Sequence, residues 1–71
     1  MRSSQSWRVA VLAGGDSDER SISLQSGSAV QQALSARGHL ALHLDPSIVD
    51  LAGVDWSQFD VAFLALHGQF G

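Results

Sequence analysis

Two apolar runs, each stopped abruptly by glycine or polar residues, constrain this 71-residue chain more than any other feature. The first, Trp7–Ala13, is apolar except for Arg8 and ends at Gly14-Gly15; the second, Val61–Leu66, ends at His67-Gly68. Continuous apolar runs, unlike alternating ones, are typical of parallel strands covered on both faces. We therefore expect both runs to be strands of one parallel sheet.

A helix is predicted between these runs, starting near Ser21 or Ser23. Either serine can cap the free backbone N–H groups of a first helical turn. Arg37 suits the last turn of this helix, and Gly38 suits the left-handed position just beyond its end. Small residues at Gly27 and nearby positions would let this helix approach a sheet closely.

Leu40–Leu44 is predicted as a further strand, and Asp45-Pro46 forces the chain out of it. Residues 47–59 accommodate one or two short helical turns. Strand, helix, strand, short connection, strand is typical of an α/β fold with a parallel sheet and right-handed crossovers. If the last strand returns to the free side of the first, the strand order over residues 7–67 is 2-1-3.

That order places a topological switch point between the first and third strands. Open α/β sheets bind ligands at the carboxyl ends of the strands around such a point. The turn Gly14–Glu19 and the pair His67-Gly68 are therefore predicted to lie side by side and to form part of a small-molecule site.

Composition narrows the classes of function. A net charge of −3, with four scattered arginines as the basic residues, argues against nucleic acid binding. No apolar run approaches the roughly 20 residues of a membrane span, and no secretory signal is recognisable. The absence of cysteine excludes disulfides, and the cytoplasm is the expected location.

Residues 1–6 are read as a disordered tail and residues 7–71 as one α/β substrate-binding domain. Six consecutive apolar residues in the third strand need cover on both faces. One helix and a short connection cannot supply both covers, so we expect the domain to be incomplete, as part of a longer chain.

The glycine pair has two interpretations, a phosphate-binding turn at a helix start or a simple turn that closes a strand. The acids that follow, Asp16, Asp18 and Glu19, would repel a phosphate. They also complement a helix macrodipole without any function. At the switch point, however, the Glu19 carboxylate would suit a cationic group such as an ammonium, and the neighbouring Arg20 would help to keep it charged.

His67 likewise has a structural and a functional interpretation, and its position at a strand's carboxyl end favours the second. His39 and His43 lie in or beside the second strand, away from the predicted site, and are assigned no role. No histidines have ligand spacing, so no metal site is expected within this segment.

With these motifs in hand, the chain resembles the N-terminal part of the D-alanine–D-alanine ligases. The resemblance rests on a strand followed by Gly14-Gly15, then Glu19-Arg20 and Ser23-Leu-Gln-Ser-Gly27, and later on an apolar strand that ends in His67-Gly68. The chain departs from the family pattern where Asp16, Asp18 and Ser21 replace more usual residues.

The resemblance implies a pre-ATP-grasp, Rossmann-like three-layer domain of the ATP-grasp superfamily. It implies ATP-dependent joining of two D-alanines through an acyl phosphate, for peptidoglycan synthesis, with ATP and Mg²⁺ held by other domains. Glu19 and His67 would be the catalytic residues. The implied substrate-binding set is Gly14, Gly15, Glu19, Ser23, His67 and Gly68.

D-alanine is accordingly the expected small-molecule partner. A homodimer is one oligomeric state compatible with the resemblance. The 71-residue segment alone is expected to be inactive. Another flavodoxin-like or ATP-grasp enzyme would require both motif matches to be coincidences. The remaining alternative is a non-catalytic α/β fragment that acts only as a folding or interaction module.

Overall fold

A computed structural model describes residues 6–66 and shows a three-stranded parallel sheet in the order β2-β1-β3. The predicted α/β fold and strand order are confirmed. Besides two 3₁₀ turns, Leu51–Gly53 and Trp56–Gln58, the regular elements are β1 (Arg8–Leu12), α1 (Arg20–Ala36), β2 (Leu40–Leu44) and β3 (Val61–Leu64).

The central strand β1 is buried on both faces, as its continuous apolar sequence predicted. Val9 and Val11 face the helix α1. On the opposite face Ala10 and Leu12 form a core cluster with Leu44. Partly buried apolar side chains from the loop between β2 and β3, and one residue after β3, pack against this cluster: Val49, Leu51, Val54, Phe59 and Leu66.

The helix begins at Arg20, with Glu19 at the N-cap position, and no side chain caps it. The predicted serine cap is therefore wrong. Ser23 lies inside the first turn with its side chain toward the sheet, where it is fully buried and bonded to other groups. At the other end the prediction is confirmed, because Gly38 has a φ of +87° directly after the cap residue Arg37.

The third strand is shorter than its sequence predicted, and it is exposed, as expected of an apolar strand that one helix and a short connection cannot cover on both faces. It ends at Leu64, two residues early, and Val61 and Phe63 keep 47% and 45% of their surface exposed. The reason is that α1 packs mainly against β1 and β2. Within residues 6–66 no helix is both long and apolar enough to span a membrane.

An ion pair closes the edge of the sheet where the strands begin. Arg8 donates its backbone N–H to Asp60 Oδ2 at 2.8 Å, and its Nη2 lies 3.3 Å from Asp60 Oδ1. These hydrogen bonds from Arg8 lower the pKa of the Asp60 carboxyl. The pair ties the start of β1 to the residue that precedes β3.

The helix lies close to the sheet at Gly27, which is buried against the end of β1. A Cβ at this position would clash with Cβ of Ala13. In the α1 interior, alanine would otherwise be favoured over glycine by about 1 kcal/mol. Close approach, and not helix propensity, thus decides the residue at this position.

We expect Gly27→Ala to lower the free energy of unfolding by up to about 2 kcal/mol, because overpacking costs about 1–3 kcal/mol and the gain in helix propensity offsets only part of it. Added to an Ala13→Gly background, the same substitution should instead stabilise the protein. Urea unfolding of the four proteins measures this sign reversal. Equal effects in both backgrounds would contradict the close packing.

Candidate functional site at the carboxyl edge of the sheet

The carboxyl ends of all three strands meet at one edge. Beyond the strands, Ala13 donates its N–H to the carbonyl of Leu44 at 3.1 Å, and Ala65 donates its N–H to the carbonyl of Leu12 at 2.9 Å. The chain segments that leave β1, β2 and β3 are therefore neighbours. This is the crevice position at which open α/β sheets hold ligands.

The turn after β1 has a conformation that requires its two glycines. Gly14 and Gly15 have φ angles of +112° and +82°, a region that residues with a Cβ rarely adopt. A Cβ on Gly14 would also lie 2.5 Å from Asp45 Oδ2. Gly14 is therefore fixed twice, by backbone geometry and by the close approach of a carboxylate.

Ser23 connects the turn to the end of β3. Its Oγ accepts a hydrogen bond from the Gly14 N–H at 2.7 Å and donates one to the carbonyl of Ala65 at 2.6 Å. Because the side chain is fully buried, both bonds are shielded from water. The hydroxyl joins β1, α1 and β3 at the base of the crevice.

Asp45, the residue after β2, is the centre of the polar network, although only 5% of its surface is exposed. Its Oδ1 accepts hydrogen bonds from the Gly15 N–H at 3.0 Å and from Ser47, whose N–H and hydroxyl lie at 2.9 and 2.7 Å. A buried carboxylate is costly unless it is paired and hydrogen-bonded, and this one is both.

The charge partner of Asp45 is Arg20. Nη2 of Arg20 lies 2.7 Å from Asp45 Oδ2, an electrostatic contact without hydrogen-bond alignment. Nη1 of the same guanidinium donates to the Gly15 carbonyl at 2.7 Å and to the Ser47 hydroxyl at 2.9 Å. The guanidinium, more than the hydrogen bonds from Gly15 and Ser47, holds the pKa of the Asp45 carboxyl well below its usual range, against the opposing effect of burial.

This pairing corrects the sequence-based role of Arg20. Arg20 was expected to keep Glu19 charged, yet its guanidinium turns to Asp45 and the glycine turn. The reason is that β2 ends beside β1 in the parallel sheet, so Asp45 lies within reach of the Arg20 side chain in the first turn of α1.

Glu19 is half-buried at the start of α1, and its backbone is held on both sides. Its N–H donates to the Ser17 hydroxyl at 3.2 Å, and its carbonyl accepts from the Ser23 N–H at 2.9 Å. Among residues 6–66, no hydrogen bond or ion pair engages its carboxylate. The carboxylate is thus an available acceptor on an anchored backbone.

The structure brings four of the six predicted site residues to this edge, namely Gly14, Gly15, Glu19 and Ser23. His67 and Gly68 lie outside the described residues, so the predicted opposition of Glu19 and His67 stays a prediction. Ser23 lies behind the turn, and both bonding roles of its hydroxyl are taken by the protein.

Sequence reasoning assigned Asp45 no role in the site and interpreted Asp45-Pro46 as the exit from the second strand. The signal was available, because an acid directly after a strand in a parallel sheet lies at the same edge as the glycine turn. The placement of His43 away from this region was also wrong, since its Nε2 lies 2.8 Å from the carbonyl of Ala13.

The charge of this edge favours a cationic group over an anion. Asp16, Asp18 and Glu19 follow the glycine pair, and Arg20, the nearest cation, is already paired with Asp45. A phosphate would meet net negative charge here. In the described part of the chain, no three histidine or acidic side chains gather into a group that could hold a metal ion.

Comparisons with known proteins give close relatives. The chain is 48% identical over 66 residues to a D-alanine–D-alanine ligase of Geotalea uraniireducens, and 52% identical over 64 residues to those of Paracidovorax citrulli and Polaromonas naphthalenivorans. Each match covers 90% of this chain. The chain spans about a fifth of the length of these relatives. A scan against protein-family models finds no match.

Because Asp45 is paired with Arg20, we expect the free energy of unfolding to depend on pH. The lowered pKa of Asp45 in the folded protein means that its contribution to stability is present above its usual value of 3.8 and is lost as the pH falls below that value. We expect Asp45→Asn to lower the free energy of unfolding at pH 7 by about 1.5–3 kcal/mol. The difference from the unsubstituted protein should shrink as the pH falls below 3.8.

Urea unfolding at pH 7 and at pH 3 measures both values. Asp16→Asn, which changes an exposed acid on the same turn, is the matched control and should have little effect at either pH. A difference between Asp45→Asn and the unsubstituted protein that stays constant down to pH 3 would contradict the assignment.

Proposed function

We propose that this chain, which belongs with the D-alanine–D-alanine ligases over the fifth of their length that it spans, forms the binding site for the first D-alanine of an ATP-dependent ligase. The proposed reaction joins two D-alanines through an acyl phosphate for peptidoglycan synthesis, in the cytoplasm. In this proposal residues 7–71 are the substrate-binding domain of the enzyme.

The observation that carries the proposal is the free carboxylate of Glu19. It stands on an anchored backbone at the carboxyl edge of a parallel sheet, without a cationic partner among residues 6–66. An ammonium is the complementary ligand, and charge-assisted hydrogen bonds to a carboxylate are among the stronger ones in proteins. D-alanine carries such an ammonium, and the names of the relatives point to that amino acid.

The residues of this chain do not fit ATP or Mg²⁺. The sequence contains no lysine to grip a phosphate, and the acids of the glycine turn oppose one. No group of three ligating side chains is present in residues 6–66. We therefore assign the nucleotide and the metal to other regions of the ligase, and derive no step through them here.

What this chain supplies is position. Holding one amine in a fixed place orients the carboxylate of the same small molecule toward its reaction partner, which converts a bimolecular encounter into a nearly unimolecular one. Glu19 binds the ammonium in this scheme. His67 and Gly68 complete the proposed site near the substrate carboxylate, and Ser23 supports the turn from behind.

The test is Glu19→Gln in the ligase that carries this chain. Glutamine has the same shape without the charge, so the KM for the first D-alanine should rise roughly 10- to 100-fold, while the KM for ATP stays unchanged. Steady-state ADP release at varied D-alanine and varied ATP measures both constants.

Asp18→Asn is the matched control, because it removes a charge from the exposed neighbouring position and should change neither constant. Equal losses for D-alanine and ATP in Glu19→Gln would overturn the assignment. So would a control variant that weakens D-alanine as strongly as Glu19→Gln does.

A further inference from the structure

We propose that the Arg20–Asp45 ion pair is a positioning clamp, which fixes the Gly15 peptide and thereby the direction in which Glu19 presents its carboxylate. The clamp itself stands on contacts within the chain. Its effect on substrate binding rests on the proposed function.

The two members of the ion pair hold both polar groups of one residue. Asp45 Oδ1 accepts the Gly15 N–H at 3.0 Å, and Arg20 Nη1 donates to the Gly15 carbonyl at 2.7 Å. The space where a Cβ of Gly15 would lie is open, with no atom within 4 Å. Packing therefore does not restrain this side of Gly15, and glycine has the widest conformational freedom of any residue. The polar contacts must do so.

Ser47 and the adjoining strand and helix hold the two members of the ion pair in place. Ser47 donates its N–H and its hydroxyl to Asp45 Oδ1 and accepts a hydrogen bond from Arg20 Nη1. Asp45 follows β2 directly, and Arg20 is the first residue of α1. The clamp thus fixes the glycine turn relative to two rigid elements.

Glu19 inherits its position from this arrangement. It lies between the clamped Gly15 and the clamped side chain of Arg20, and its carbonyl accepts the first helical hydrogen bond from Ser23. Without the contacts of the clamp, the Gly15 peptide could change its orientation, and the segment from Gly15 to Glu19 would change direction with it. A carboxylate that must meet one ammonium is sensitive to shifts of about 1 Å.

A second ion pair of the sheet, Arg8–Asp60, provides a control for the loss of an ion pair far from the glycine turn. Arg8 and Asp60 lie at the opposite edge, with side chains that are 46% and 32% exposed, and they touch no residue of the glycine turn. In the clamp, Asp45 is buried. The Arg20 side chain is 39% exposed, so solvent screens the pair, and its directional contacts are the better account of its presence beside the turn.

The experiment compares Asp45→Asn and Arg20→Lys with the control Asp60→Asn in the ligase that carries this chain. Asparagine keeps the shape of Asp45 but loses its charge. Lysine keeps the charge of Arg20 but lacks the planar fork that reaches three acceptors.

ADP-release kinetics give the KM for D-alanine and for ATP, and amide hydrogen exchange at Gly15 reports the clamp directly. Kinetics are measured at a temperature at which circular dichroism shows every variant folded.

For both clamp variants we expect about a tenfold or larger rise in the KM for the first D-alanine and about tenfold faster exchange at Gly15, with the KM for ATP unchanged. Asp60→Asn should alter none of the three. Exchange at Gly15 that stays unchanged in both clamp variants would overturn the clamp, as would losses shared equally by D-alanine and ATP. If the unsubstituted protein releases no ADP with D-alanine, the proposed function fails, and exchange at Gly15 still decides the clamp.

Discussion

The buried, hydrogen-bonded carboxylate of Asp45 is the constraint on which the carboxyl edge of the sheet depends. It follows β2, accepts hydrogen bonds from the turn after β1, and pairs with Arg20 at the start of α1. A buried charge is tolerated only where partners surround it. Parallel pairing of β1 and β2 brings these partners to the carboxylate, and the Arg20 guanidinium and the hydrogen bonds around Asp45 lower the pKa of its carboxyl.

Close contacts also decide where small residues stand near this edge. The close approach of Asp45 leaves no room for a Cβ on Gly14, and the close approach of α1 to β1 leaves none on Gly27. Ser23 fits beneath the turn because its short side chain reaches both Gly14 and Ala65. Polar contacts near the sheet edge and tight helix packing are thus two parts of one arrangement.

This arrangement also explains why the glycine turn is not a phosphate site. The backbone N–H groups that a phosphate would need are already given to Ser23 and Asp45. The cation nearest the turn is neutralised as well. No group of residues 6–66 engages the carboxylate of Glu19, and a negative group on a fixed backbone favours a positive ligand. Under the function proposed above, that ligand is the ammonium of D-alanine, the amino acid in the names of the relatives.

The sequence by itself determined the α/β class, the strand order, the left-handed glycine after α1 and the similarity to D-alanine–D-alanine ligases, because apolar runs, glycines and short motifs are local signals. Only the tertiary structure decided the partners of Arg20, the buried bridging role of Ser23 and the early end of β3. These depend on which segments become neighbours. Parallel pairing places Asp45 beside a turn 30 residues earlier in the chain; the position of Asp45 after a strand predicts the shared edge, but no local pattern predicts that it pairs with Arg20.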